Sequence, residues 1–191
     1  MNKDLSPLTT FSHGTEAFSL CMLSDTLLAS GEWDWNIKIW DVNSANSTNT
    51  LKGHTHYVTA IVKFPFGDIV SAAYGNEVKV WDAQSFNCIH TINVKYVCSY
   101  VAHGLCILEK ERLGIACADK SIRIYAKRDN YSSFVSLKGH DNDISQIVSV
   151  GSNVLVSVSS DKTIKVWNIQ TETLIAEFKC DGPIRSVDSF A

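Results

Sequence analysis

The strongest constraint on this chain is an internal repeat of about 42 residues. Four aromatic residues, Trp40, Trp81, Tyr125 and Trp167, each close a short run in which apolar and polar side chains alternate, and they follow one another at intervals of 41, 44 and 42 residues. Alternation with a period of two is typical of a β-strand with one buried face. A fixed period of this length therefore predicts a fold assembled from repeated small sheets.

The unit that shows the pattern most clearly lies at residues 154–168. Two runs rich in β-branched residues flank the turn Ser160-Asp161-Lys162-Thr163, and the second run ends at Trp167. Two such runs joined by a short polar turn predict a β-hairpin. A Gly-His pair, Gly139-His140, precedes this hairpin, with the histidine 27 positions before Trp167.

The same offsets recur along the chain. Histidine stands 27 positions before the closing aromatic residue in three units, and cysteine stands there in the remaining one: His13, His54, Cys98 and His140. The position six residues before the aromatic residue holds Asp34, Gly75, Asp119 and Asp161. A basic residue lies two positions before it: Lys38, Lys79, Arg123 and Lys165. We interpret these basic side chains as solvated stems along a sheet face.

This register resembles the WD repeat, whose units of about 40–45 residues begin near a Gly-His and end at a Trp-Asp. The segments that carry the resemblance are Leu-Lys-Gly-His at 51–54 and 137–140, Ile-Lys-Ile-Trp-Asp at 37–41 and Val-Lys-Val-Trp-Asp at 78–82. The resemblance implies an all-β fold, a β-propeller in which each blade is a four-stranded antiparallel sheet. It predicts one domain over residues 1–191 with repeats at about 13–52, 54–92, 97–137 and 140–178, and the start of a further blade at 183–191.

Four strands are expected in each repeat. We place them at 17–22, 27–30, 36–40 and 48–52; at 57–63, 68–73, 77–81 and 88–92; at 97–102, 113–117, 121–125 and 133–137; and at 143–148, 154–159, 163–167 and 173–178. Residues 8–12 and 183–190 are predicted as spare outer and inner strands, and Asn43 to Asn49 is the clearest predicted surface loop because its residues favour turns.

The resemblance also implies a hydrogen-bonded chain within a blade, formed by a histidine, a serine, the turn aspartate and the closing tryptophan. The fourth repeat carries a complete predicted set: His140, Ser159, Asp161 and Trp167. The other repeats carry parts of it: His13, Asp34 and Trp40; His54 and Trp81; and Asp119. Glu32, Ala73 and Gly75 stand at expected serine or aspartate positions, and the third repeat is predicted to be the least cross-tied. A Ser-His-Asp hydrolase triad is disfavoured because the serine has no nucleophile-elbow context.

Composition narrows the function classes. The chain of 191 residues is 45% apolar and 19% charged, which fits a globular protein, and its net charge of −3 disfavours nucleic acid as a partner. No apolar run approaches the ~20 residues of a membrane-spanning helix. No secretory signal is visible, so we expect an intracellular protein, cytoplasmic or nuclear, whose six cysteines are reduced. The pair His54 and His56 is a poor metal site, and we expect no metal and no cofactor.

Four blades do not complete a ring, because propellers of this kind usually close at about seven. Three alternatives remain open. The chain is a piece of a longer propeller, its arc is completed by a second copy or another protein, or it closes alone as a small ring.

The predicted binding surface lies on the rim that carries the histidine loops and the aspartate turns. Five aromatic or imidazole side chains fall there in the first two repeats: Trp33, Trp35, His56, Tyr57 and Tyr74. Aromatic residues dominate binding hot spots, and tryptophan is unusual in a tight turn. Two alternatives remain open for Trp33 and Trp35: one of them packs against the neighbouring blade, or both belong to an aromatic patch that binds a peptide. The resemblance to the WD repeat implies a noncatalytic scaffold or adaptor that binds proteins, with a substrate-recognition or assembly subunit of a ubiquitin ligase or an RNA-processing complex as the alternative. An enzyme is the disfavoured class, because no paired carboxylates stand at a useful spacing.

Overall fold

The computed structural model describes residues 10–65, 67–75, 77–94 and 104–187. Within them the chain forms sixteen β-strands and one short 3-10 helix, Lys127–Asp129. The strands form four separate antiparallel sheets of four strands each, which we call blades one to four in chain order. The predicted all-β fold is confirmed, and the chain is an open propeller of four blades.

Each blade runs from an inner to an outer strand in chain order. Blade one contains β1 Ala17–Met22, β2 Leu27–Glu32, β3 Ile37–Asp41 and β4 Asn46–Leu51. Blade two contains β5 Val58–Lys63, β6 Ile69–Ala73, β7 Glu77–Trp81 and β8 Cys88–Asn93. Blade three contains β9 Leu105–Leu108, β10 Arg112–Ala116, β11 Ile122–Ala126 and β12 Phe134–Leu137. Blade four contains β13 Ile144–Val150, β14 Val154–Ser159, β15 Thr163–Asn168 and β16 Thr173–Lys179.

Most strands lie within two residues of their predicted positions, and the exceptions are informative. The inner strand of blade three is β9, Leu105–Leu108, and the segment 97–102 that we predicted for it lies outside the described residues. The predicted loop over residues 43–49 is wrong in its second half, because β4 begins at Asn46 and pairs with β3. Residues 10–12 and 183–187 form no strand, and the rest of the two predicted terminal strands is not described.

The two faces of a blade are chemically different. In blade two, Trp81 and Ile69 pack towards blade one, whereas Val70 and Val80 pack towards blade three. Tyr125 and Trp167 likewise face the preceding blade. The core therefore consists of three apolar layers, one between each pair of consecutive blades, and each layer joins the aromatic face of one blade to the aliphatic face of the blade before it.

Glycine precedes two of the repeat histidines for a steric reason. Gly53 and Gly139 have φ angles of +149° and +155°, a region that side chains disfavour. A Cβ at Gly139 would lie 3.1 Å from Cη2 of Trp167, and one at Gly53 would lie 3.5 Å from Cη2 of Trp81. The closing tryptophan of a blade thus packs directly against the backbone that leads into its histidine.

No helix within the described residues is long and apolar enough to cross a membrane. Of the cysteines that the structure describes, Cys106 and Cys117 are buried in the inter-blade layers. Burial raises the pKa of the Cys106 thiol to about 12, so this sulfur behaves as a small apolar group at neutral pH.

Candidate functional site

The rim turns are anchored by chains of hydrogen bonds, and blade four has the clearest one. The indole N–H of Trp167 donates to Oγ of Ser157 (2.8 Å), which lies 2.7 Å from Nε2 of His140. Nδ1 of His140 lies 2.7 Å from Oδ2 of Asp161. Because a carboxylate only accepts, Nδ1 carries the proton and Nε2 accepts from the serine hydroxyl. The chain links the closing tryptophan on β15 to the turn between β14 and β15.

The serine in this chain is Ser157, and the prediction of Ser159 is wrong. Trp167 pairs with Leu155 across the hairpin, so Ser157 is its diagonal neighbour and Ser159 is two residues further along the strand. Diagonal neighbours are within reach of an aromatic side chain, whereas the additional rise of about 6.6 Å is not. Ser159 instead donates to the carbonyl oxygens of Asn142 (3.1 Å) and Asp143 (2.9 Å), and it shapes the adjacent loop.

Blade two contains the same chain, although Ala73 and Gly75 suggested that it would be incomplete. Trp81 donates to Ser71 (2.8 Å), and Ser71 lies 2.6 Å from Nε2 of His54. Oε1 of Glu77 lies 3.1 Å from Nδ1 of His54. The acid comes from the first residue of β7 rather than from the turn, where glycine stands.

Blade one uses Glu32 as the acid. Its Oε1 accepts from Ser30 (2.9 Å) and lies 3.0 Å from Nδ1 of His13. Trp40 donates to Ser30 at 2.8 Å, and Lys38 lies 2.7 Å from Oε2 of Glu32. Glu32 is fully buried, and these partners compensate the loss of water around its carboxylate.

Two predicted aspartates lie outside such chains. Asp34, which we predicted as a tie, only accepts the backbone N–H of Asn36 at 3.2 Å and is exposed, so that prediction is wrong. Asp119 accepts from Ser121 (2.5 Å) and Arg123 (2.7 Å), and among the described residues it ties its own hairpin without a histidine. Cys98, which stands at the histidine position of blade three, lies outside the described residues.

The basic residue two positions before each closing aromatic residue is paired rather than solvated, which corrects our interpretation. These side chains are 6–20% exposed, and each lies beside a carboxylate of its own blade: Lys38 beside Glu32, Lys79 beside Glu77, Arg123 beside Asp119 and Lys165 beside Glu177. They point to the aromatic face of the blade, where burial favours ion pairing.

The histidines of the two complete chains are held in the neutral form. Burial lowers the pKa of His54 to about 4, although the hydrogen bond and the charge of Glu77 act in the opposite direction. Burial also lowers the pKa of His140, against the effect of Asp161. For Asp161, burial opposes ionisation, but hydrogen bonds from Thr163, Asp141 and His140 outweigh it and hold the pKa well below its usual value. The serine hydroxyls bonded to these histidines are fully buried and also accept the tryptophan N–H groups, an arrangement that supports a structural role.

The five predicted rim side chains lie together as one surface. Trp33 stacks on Tyr57 with ring centroids 5.2 Å apart and planes inclined by 2°. The ring centroid of His56 lies 6.2, 5.0 and 4.8 Å from those of Trp35, Tyr57 and Tyr74, and the centroids of the two tyrosines are 5.0 Å apart. Trp33 and Trp35 remain 54% and 50% exposed. The turn of blade one and the loops of blade two therefore form a continuous surface of aromatic rings that is open to solvent.

A sixth ring belongs to this surface and was not predicted. Phe18, on β1, lies 5.9 Å from Trp33 and 5.3 Å from Tyr57 and is 36% exposed. Sequence analysis missed it because it lies within a strand, where an apolar residue at an alternating position is expected to enter the core. We call the six side chains Phe18, Trp33, Trp35, His56, Tyr57 and Tyr74 the aromatic patch.

The backbone beneath the aromatic patch is fixed. The N–H of Trp33 donates to the carbonyl oxygen of Glu16 (2.8 Å), and the N–H of Tyr74 donates to that of Tyr57 (3.0 Å). Trp35 has φ = +71°, and Lys120 and Lys162 have similar angles, +65° and +69°, at the same place in their turns. A bulky aromatic residue is uncommon in this conformation. Blade one thus presents an indole where the turn itself favours glycine or asparagine.

The matches to known families agree with this architecture. Residues 5–41 and 45–82 match the WD domain, G-beta repeat, and residues 140–191 match the TEP-1 C-terminal beta-propeller. The chain belongs to the WD-repeat β-propeller family, which confirms the resemblance seen in the sequence.

Several relatives carry this kind of repeat in longer chains. The chain is 28% identical over 172 residues to Nuclear distribution protein PAC1 of Arthroderma benhamiae, an alignment that covers 78% of this chain and 37% of the relative. It is 27% identical over 178 residues to Protein SPA1-RELATED 3 of Arabidopsis thaliana, covering 88% and 20%. It is 32% identical over 157 residues to Periodic tryptophan protein 2 homolog of Caenorhabditis elegans, covering 78% and 17%. The chain therefore spans at most 37% of the length of these relatives.

Proposed function

We propose that this protein is a noncatalytic adaptor that captures a segment of a protein partner on the aromatic patch. The single observation that carries the proposal is the exposure of two tryptophans on one contiguous surface of six rings. Exposed aromatic rings on a rigid frame supply contact area at a small cost in side-chain entropy, and such residues dominate binding energies. The buried ties below the turns leave the frame rigid, so the rings are in place before a partner arrives.

The test is a double substitution of the half-exposed tryptophans. Replacing Trp33 and Trp35 by alanine should abolish capture of the partners that the wild-type protein retains in an affinity experiment. The matched control replaces Ile89 on β8 and Phe134 on β12, which are 55% and 49% exposed, with alanine. That control removes a similar exposed apolar surface from the outer strands of blades two and three and should retain the partners. An unchanged partner set in the tryptophan variant, with wild-type circular dichroism, would refute the proposal.

We also propose that the adaptor works as part of a larger assembly in the cell. Support comes from the longer relatives, among them a nuclear distribution protein, and from exposed apolar residues on the outward faces of the terminal blades. Leu20 and Met22 of blade one are 61% and 53% exposed, and Phe178 of blade four is 56% exposed. Further blades, a second copy or another subunit would cover such faces. Sedimentation over a range of concentrations separates a second copy, which gives dimers, from a protomer that stays monomeric.

A further inference from the structure

We propose that the aromatic patch recognises a basic segment of its partner, with an arginine side chain seated over the exposed indoles. This inference rests on the proposed function and specifies the chemistry of the ligand. The six rings present electron-rich faces, and a cation placed over such a face is attracted by the ring quadrupole. The charges around the patch decide between a cationic and an anionic partner.

Acidic residues outnumber basic ones in the loops around the aromatic patch. The described loop residues 10–16, 33–36, 52–57 and 74–75 contain the carboxylates Glu16 and Asp34, one lysine, Lys52, which stands four positions before His56, and no arginine. Both carboxylates belong to exposed residues, and Asp34 stands between the two tryptophans in the chain. The carbonyl oxygen of Glu16 accepts the N–H of Trp33, which fixes that residue beside the stacked indole. A basic side chain at this surface would therefore meet rings and carboxylates together.

The basic residues of the neighbouring strands are already paired. Lys38 lies 2.7 Å from both the Glu32 carboxylate and the carbonyl oxygen of His13. Lys79 lies 3.3 Å from Glu77. In the described part of the chain, the cation–π contacts involve other rings: Lys38 with Trp40, Arg123 with Phe134, and Lys127 with Phe64. The exposed faces of the Trp33 and Trp35 indoles are therefore where a cation of the partner would sit.

The shape of the surface favours arginine over lysine. Trp33 and Tyr57 lie parallel within 2°, so the exposed indole presents a flat face. A planar guanidinium can stack on such a face and still direct its N–H groups sideways to a carboxylate, whereas an ammonium is a strongly hydrated point charge. An acidic segment would place like charges against Glu16 and Asp34.

The conformation of Trp35 is a second, independent sign of selection for binding. Its φ of +71° costs stability in a turn where asparagine or glycine would cost less, and the side chain is half exposed rather than used in the core. The two indoles of this turn flank Asp34 in sequence, an arrangement that the turns of blades three and four replace with lysine at the position of Trp35.

The experiment uses labelled nonapeptides of the form Gly-Ser-Ala-X-Ala-X-Ala-Ser-Gly, in which X is arginine, lysine, citrulline or leucine. Binding is followed by the fluorescence anisotropy of the labelled peptide and, in a separate titration with unlabelled peptide, by the change in the indole emission of the protein. Emission reports the patch because Trp40, Trp81 and Trp167 are at most 3% exposed. We expect the arginine peptide to bind about threefold more tightly than the lysine peptide and about tenfold more tightly than the neutral citrulline peptide.

Two isosteric variants test the contribution of charge. Asp34→Asn keeps the oxygen that accepts from Asn36, so the turn is preserved while its charge is lost. Asp34→Asn and Glu16→Gln should each weaken binding of the arginine peptide about threefold and leave the leucine peptide unchanged. Glu172→Gln, an exposed acid in a turn of blade four, is the matched control and should change neither. Added salt should weaken the arginine peptide selectively.

The outcomes separate this inference from the proposed function. If the citrulline or leucine peptide binds as tightly as the arginine peptide, and Trp33→Ala with Trp35→Ala abolishes that binding, the patch binds segments but its preference for a basic one is refuted. If the arginine peptide shows no binding at millimolar concentration, the inference is also refuted, whereas the partner-capture experiment still decides the proposed function. Arginine-selective binding that survives the double tryptophan substitution would place the arginine site elsewhere and refute the inference, and the partner-capture experiment would again decide the proposed function.

Discussion

Lowering the pH from 7 to 5 should destabilise this protein through His54. The ring is buried beside Trp81, with Ser71 at Nε2 and Glu77 at Nδ1. Burial lowers its pKa from 6.5 to about 4 in the folded state. In the unfolded chain the same ring has its ordinary pKa of 6.5. At a pH between the folded and the unfolded pKa, the unfolded chain therefore binds a proton that the folded protein does not. Stability must therefore fall as the pH falls through this window.

The size of the effect follows from the difference between the two pKa values. One unit corresponds to about 1.4 kcal/mol, so the difference gives a loss of about 2 kcal/mol between pH 7 and pH 5 and a plateau near 3 kcal/mol below pH 4. Glu77 does not contribute in this range, because its hydrogen bonds with His54 and the N–H of Thr55 outweigh burial and hold its pKa below 4.5. The lowered pKa of His140 adds to the loss in the same direction.

Urea unfolding at pH 7, 6 and 5, followed by tryptophan fluorescence, measures the loss directly. The variant His54→Asn is less stable at every pH because it lacks the tie. Between pH 7 and pH 5, however, its free energy of unfolding should fall by about 2 kcal/mol less than that of the wild-type protein. An NMR titration of the ring protons gives the pKa itself. A His54 pKa near 6.5, or an identical pH dependence in the two proteins, would refute the reasoning.

Three further outcomes follow from the ties and turns. Ser157→Ala should lower the free energy of unfolding by about 2–4 kcal/mol, because it leaves the buried N–H of Trp167 and Nε2 of His140 without their serine partner. Ser149→Ala, which removes one weak hydrogen bond, should cost under about 1 kcal/mol, and equal losses in urea unfolding would contradict the assignment. Amides of β10 and β11 should exchange with solvent faster than those of β14 and β15, because the described part of blade three has no His-Ser-Trp chain; equal protection would show that the ties do not control local opening. Trp35→Asn should raise the free energy of unfolding by about 0.5–1 kcal/mol, because asparagine tolerates φ = +71° more readily, and a loss of stability would mean that its contact with His56 outweighs the backbone term.

The repeat made most of the fold predictable. Each hairpin is marked by alternation and by a closing aromatic residue, so the strands of blades one, two and four were placed within about two residues. The errors in strand placement arose where the sequence does not show an alternation of buried and exposed residues. The strand β4 is polar because its first five residues are exposed, and its composition resembles a loop. In blade three, the apolar segment after residue 96 directly precedes β9, and composition alone does not distinguish their roles.

The ties were only partly predictable because a fixed sequence offset does not capture them. The serine is in fact regular, ten positions before the tryptophan at Ser30, Ser71 and Ser157, and this signal was available in the sequence. The acid is not regular, since Glu32, Glu77 and Asp161 approach the histidine from different strands or turns. Side chains of different length reach the same ring from different positions, and only coordinates reveal this.

For the aromatic patch, most of the residues were predictable from the sequence, but their contacts with one another were not. Its loop members were predictable from residue type and position, because aromatic side chains are unusual in rim turns. Their mutual stacking and the participation of Phe18 depend on how blade one packs against blade two, and sequence patterns along a single strand carry no such information.

The difference between the two faces of a blade gives the whole arc a polarity. Blade one presents the side that carries Trp40, Leu20 and Met22, whereas blade four presents the opposite side, with Val156 and Val166 in the rows that Val70 and Val80 occupy at the junction with blade three. A join that repeats the internal junctions must be head to tail. Twofold pairing of like faces would bring two aliphatic faces together without a tryptophan, so any ring or filament built on these junctions must advance in one rotational direction.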